Sequence, residues 1–167
     1  MATAPSTSNY TIPKGSVHFT PTGGTRTHLG NCFNFTYTPA VTKKDHFQSM
    51  SGIRSKDLSV VTQLDATIKM SLDEINEFNL ALFLLAETGT ASMGGLTNTQ
   101  LKGKLEFTGA NAIGNLMTFT GQVQMQPGGD MSLVTDTDDF QIIPLNAEVL
   151  LDAGSYGVWT VEAQPTA

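Results

Sequence analysis

Apolar and polar positions alternate along several stretches of the chain, and in one stretch the period lengthens to that of a helix. In Lys14 to Pro21, Val17 and Phe19 alternate with Ser16, His18 and Thr20, the mark of a half-buried strand. Leu29 to Thr38 puts Phe33, Phe35 and Tyr37 on one face and Cys32, Asn34 and Thr36 on the other. Leu58 to Met70 alternates less regularly through Val60, Leu64, Ala66 and Ile68. Further strands are predicted over 100–107 and 115–126, the latter with a change of register near Gly121, and over 156–162. The segment 136–151 mixes acids with Phe140, Ile142, Leu145, Ala147 and Val149, and Pro144 marks an edge or a bulge within it.

The helical stretch is Ser71 to Glu87. Ser71 and Glu74 have the spacing of a capping box, and Leu72, Ile75, Phe78, Leu82 and Leu85 recur at three- and four-residue steps. One helix over about 72–87 is therefore expected, ended by Thr88, Gly89 and Thr90. About seven strands and one helix predict a mainly β fold, an antiparallel β-sandwich or barrel flanked by that helix. Pro39 to Asp57 breaks the alternation and reads as a long loop at about 39–57, carrying Lys43, Lys44, Arg54 and Lys56. A connection of that length in a compact domain is usually a functional or assembly loop, against the plainer reading of a solvated loop containing a short strand near Val41 or Phe47. Residues 1–10 and 163–167 read as loose terminal arms on a single domain, 1–167.

The chain of 167 residues is long enough to bury a core without disulfides or a metal. Its one cysteine, Cys32, excludes an internal disulfide framework and a cysteine-rich zinc site, and its place on a strand points to an inert thiol. Neither a signal-peptide core nor an apolar run long enough to span a bilayer is evident. Charge is polarised: residues 1–70 hold seven Lys/Arg against three acids, a net of +4, and residues 71–167 hold two against twelve, a net of −10. That distribution suits either plain solubility or head-to-tail association of copies, and the acidic half argues against gripping nucleic acid.

Candidate chemistry is sparse. His18, His28 and His46 form no metal-binding or hydrolytic motif, and GANAIGNL lacks the Lys and Ser/Thr of a phosphate loop. Asp136, Asp138 and Asp139 lack the spacing of a calcium loop and read as a solvated acidic turn. A carbohydrate-binding module would need aromatic platforms, whereas Trp159 is the only tryptophan and sits in a terminal strand. No catalytic, cofactor-binding or metal residue is expected, and the chain is not expected to be an enzyme.

The segments YTIPKGSVHF, LGNCFNFTYT, DHFQSMSGIRSKDLSVVTQLDATIKMSLDEI and NEFNLALFLLAET, within the first 90 residues, resemble the major tail tube proteins of long-tailed bacteriophages. The resemblance implies a β-sandwich with a flanking helix, similar to the tube protein of type VI secretion systems. It implies hexameric rings stacked into a hollow conduit for the genome, in a virion tail assembled in the host bacterial cytoplasm. Partners implied are further copies of the chain, a tail-tip or initiator complex, a tape measure protein and a tail terminator. DNA would pass without specific binding, and no cofactor is implied. By position, Val41 to Lys56 with its Lys43, Lys44, Arg54 and Lys56, the segment Met1 to Tyr10, and the end after Val161 would reach neighbouring rings. Candidates for an acidic lumen are Asp65, Glu106, Asp130, Asp136, Asp138 and Asp139. Another self-assembling virion or secretion component, or a ligand-binding sandwich, is the alternative.

Overall fold

The computed structural model of the protein describes residues 9–50, 52–87, 92–136 and 138–163. Most of the two expected terminal arms and the expected helix stop at 88–90 lie outside the described residues. The chain forms β1 (Gly15–Pro21), β2 (Thr27–His28), β3 (Cys32–Gln48), β4 (Ser55–Leu72), α1 (Glu77–Leu84), β5 (Lys102–Gly109), β6 (Leu116–Pro127), β7 (Ile143–Val149) and β8 (Val158–Glu162).

All eight strands belong to one antiparallel sheet, in the order β2-β1-β5-β6-β7-β4-β3, with β8 added beside the first half of β6. The mainly β fold with one flanking helix is as expected, but the barrel is not: β2 and β3, at the two ends of the path, do not pair. The sheet instead bends over itself, so that aromatic side chains of β3 meet strands far from it in the order. Phe35 stacks on Phe107 of β5 with centroids 5.2 Å apart, and Tyr37 packs against Phe119 of β6 and Trp159 of β8. The Tyr37 hydroxyl donates to the Tyr156 carbonyl at 3.0 Å, fixing the fold-over.

The core follows period-two burial. Val17 and Phe19 of β1, Leu105 of β5, Phe119, Val123 and Met125 of β6, and Ile143, Leu145 and Ala147 of β7 all point inward. No register shift occurs at Gly121: β6 pairs with β5 without interruption, and every second residue from Phe119 to Met125 faces the interior. Gly121 keeps the alternation while leaving room for a ring, since a Cβ there would lie 2.8 Å from Phe119 Cζ.

The helix is shorter than its sequence pattern suggests. Ala66, Ile68, Met70 and Leu72 are all buried, so the strand period runs on through Leu72, which pairs with both Cys32 and Ile143. Ser71 is a strand residue and not a cap. Asn76 is the cap, its side chain accepting from the Asn79 amide at 2.8 Å. Glu74, released from a capping role, accepts from the Asn31 amide at 3.0 Å and lies directly over Gly30, where a Cβ would come within 2.2 Å of its carboxyl carbon. The helix ends at Leu85, which adopts a left-handed φ of 50°. The following loop returns to satisfy the open carbonyls: Leu96 N–H donates to Leu84 O and Asn98 N–H to Leu85 O.

Candidate functional site

The expected loop at about 39–57 is a β-hairpin. β3 and β4 pair from Cys32–Leu72 out to Gln48–Ser55, with only six residues of sequence between the two strands. Beyond the Pro39–Ala66 pair no residue of either strand is buried, so the outer hairpin is an arm that leaves the body of the sheet. At ~3.3 Å per residue, the eleven residues of β3 from Thr38 to Gln48 give it a reach of about 35 Å. The register shifts between Thr42 and Lys43 and between His46 and Phe47, so two bulges interrupt the ladder. The alternation is lost in sequence because both faces of the arm carry apolar and polar side chains together.

Directly opposed residues share a face and successive ones do not. Lys43 opposes Val61 and Lys44 opposes Val60, so the two lysines project from opposite faces of the arm. Lys56 is held within the chain, donating to Asp45 at 2.7 Å, and this contact, with the Ser59 hydroxyl, holds the Asp45 carboxyl below its usual range. His46 lies 2.6 Å from Asp57. Arg54 sits over the Phe47 ring, 5.5 Å from its centroid. The four basic candidates are thus brought to one element, two of them already engaged there. Around them Val41, Met50, Ile53, Leu58, Val60, Val61 and Leu64 are exposed, Met50 to 92%.

The acidic candidates separate into three places. Asp65 is exposed at the base of the arm, accepting from the Gln63 side chain at 2.5 Å. Glu106, on β5, accepts from Arg26 at 2.8 Å and lies 3.1 Å from Lys104. Those contacts, Arg26 foremost, hold its carboxyl below the ordinary range despite partial burial, and offset its charge in place. Asp130, Asp136, Asp138 and Asp139 share the segment between β6 and β7, which holds no Lys or Arg. Here too apolar side chains stand in solvent: Leu133, Val134 at 91% and Phe140 at 88%. A cavity of 560 Å³ opens among Leu133, Phe140, Ile142 and Pro144.

Three neighbours that spacing in the sequence does not reveal lie across β2, β1 and β5: His28 opposes His18, and His18 opposes Glu106. The imidazoles meet edge to face at 4.6 Å, and His18 Nδ1 is buried with no hydrogen-bond partner among the described residues. Burial first, then Arg26 and His28, lower the His18 pKa, with Glu106 opposing. On acidification through the ordinary value of 6.5, the unfolded chain therefore takes up a proton at His18 that the folded chain refuses. The urea midpoint is expected to fall as pH drops from 7.5 to 5.5, and His18→Gln to flatten that fall; an identical pH profile in the variant would exclude His18 as its source.

Cys32 is half-buried, and burial pushes its thiol up to about 12, which suits an inert residue. Among the described residues no three His, Cys, Asp or Glu side chains are placed to hold a metal ion, and no helix is long and apolar enough to cross a membrane.

The fold and its exposed elements define a class: a mainly β protein built on one open antiparallel sheet, with a flanking helix and a projecting, apolar-tipped hairpin. Within that class the chain belongs to the family described as Protein of unknown function UCP028589, whose model matches residues 10–138. No curated protein matches the sequence.

Proposed function

We propose that the protein is a structural subunit that polymerises with copies of itself into a hollow tube, as a phage tail tube protein does, and that it catalyses no reaction. The projecting hairpin carries this reading. A long two-stranded ribbon with apolar side chains on both faces gains little by standing in water, and two-stranded hairpins are marginal alone. Such an arm is accounted for when another subunit covers it. Among the described residues β3 and β8 each pair along one side only, which supports the same reading, because closure into a ring removes sheet edges without any special side chain. Likeness of the first 90 residues to tail tube proteins adds the hexameric ring, the stacked conduit for DNA in a virion tail, and the tail-tip, tape measure and terminator partners.

Negative-stain electron microscopy over a concentration series, with the mass in solution, tests this. Six-fold rings or open tubes are expected. Closed particles would point to a different virion component, and monomers at every concentration, with a tail-tip complex present as well, would overturn the proposal.

A further inference from the structure

We infer that the tip of the hairpin arm docks on the acidic segment between β6 and β7 of a second copy, so that successive copies join head to tail through these two patches. The inference rests on the self-assembly reading and adds the identity of the acceptor.

The sheet register places the two patches at opposite ends of the molecule. β4 and β7 pair from Thr67–Glu148 to Leu72–Ile143. The arm continues from β4 past the Thr67–Glu148 end. The segment 128–142 enters β7 at Ile143, which is the other end, and Pro127 of β6 reaches that end too, opposite Leu145. A subunit with complementary patches at opposite ends cannot satisfy both within itself. It makes a heterologous contact, which repeats from copy to copy and builds an open stack where successive copies are displaced along the axis joining the patches.

The patches are complementary in charge and in apolar character. The arm, from Thr38 to its partner Thr67, carries Lys43, Lys44, Arg54 and Lys56 against Asp45, Asp57 and Asp65, a net of +1 with His46 neutral. Asp45 is engaged by Lys56 and Asp57 by His46, which leaves Lys43 and Lys44 to face outward, with Arg54 over the Phe47 ring. The segment 128–142 carries Asp130, Asp136, Asp138 and Asp139, a net of −4. Its Leu133 and Phe140, around the 560 Å³ cavity, and the exposed Val134 next in the chain offer an apolar seat to Met50, Ile53 and Phe47 of the tip. Apolar contact supplies the affinity in this arrangement, and the charges set which surfaces meet.

The test is a charge exchange on exposed positions, read by sedimentation and electron microscopy of the full chain at low salt. Lys43→Glu with Lys44→Glu, and separately Asp136→Lys with Asp138→Lys and Asp139→Lys, are each expected to raise the concentration needed for assembly at least tenfold. One chain carrying both sets is expected to regain assembly near the parent's, because each reversed arm again meets a reversed acceptor. Circular dichroism and urea midpoints matching the parent establish that the single-set variants fold. Parent-like assembly by both single-set variants, or no recovery in the combined chain, would overturn the pairing while leaving self-assembly standing. A parent that stays monomeric throughout would overturn the self-assembly reading and the pairing with it.

Discussion

Replacing Phe119 by alanine is expected to lower the free energy of unfolding by about 3–5 kcal/mol, the range for truncating a buried aromatic ring. Phe119 is fully buried in the middle of β6, between the strands β5 and β8. Its ring packs 4.8 Å from Trp159 and 5.7 Å from Tyr37, and so holds the folded-over part of the sheet to its centre. The backbone is shaped around it. Gly157 has a φ of 88°, open to glycine at little cost, and a Cβ there would lie 2.2 Å from the ring. Truncation therefore leaves a cavity lined on several sides by groups that cannot all move in, and it loosens two aromatic neighbours as well. Urea unfolding followed by Trp159 fluorescence measures the effect; Leu133→Ala, at an exposed position, should stay within about 0.5 kcal/mol of the parent. A Phe119→Ala loss below about 1.5 kcal/mol would mean that the fold-over is not held through this ring.

The second large effect is expected at Asn79, a fully buried polar residue on the inner side of α1. Its side-chain amide donates to the Leu29 carbonyl at 3.0 Å and to the Glu74 carbonyl at 2.9 Å. It thereby ties the helix to the connection before β3 and to the chain leaving β4. Asn79→Ala removes both donors and leaves two carbonyls without them, for which about 2–4 kcal/mol is expected at 1–3 kcal/mol per buried unsatisfied group, with some relief if water enters. Amide hydrogen exchange over Glu77–Leu84 should accelerate together with the lower urea midpoint. A change within 0.5 kcal/mol, with exchange in the helix unaltered, would show that water replaces the side chain without loss.

Where one face of a strand is buried and the other wet, the pattern in the sequence already specifies the structure. Gly15–Pro21 is the plainest case, with Val17 and Phe19 inward and its polar neighbours outward. Two misreadings have different physical causes. Around Ser71 a capping-box spacing coincides with the last turn of a period-two burial pattern. Tertiary pairing of Leu72 with two strands outweighs a local cap, so the helix starts six residues after Ser71. Along the arm no face is buried by its own chain, so no alternation records the strands, and Pro39 with its lysines reads as a loop. The basic candidates were visible as a cluster, but the in-chain partners of Lys56 and Arg54 depend on register, which composition does not contain. The His18–His28–Glu106 row is set by pairing between strands ten and 88 residues apart in the chain, counted from His18 to His28 and from His18 to Glu106.

The two bulges of the arm bear on the fidelity of growth. A bulge adds an unpaired residue, bends the ribbon and raises its twist, so the long free side of β3 is not a straight template onto which any extended peptide can zip. An apolar, exposed ribbon of this length would otherwise be a hazard in the crowded interval between synthesis and assembly, when every other nascent copy offers an identical strand. With its ladder broken twice, the arm favours a partner that matches a particular curved surface over one that merely supplies backbone groups. Smoothing the ribbon would be expected to trade ordered polymers for amorphous ones, at little gain in the subunit's own stability.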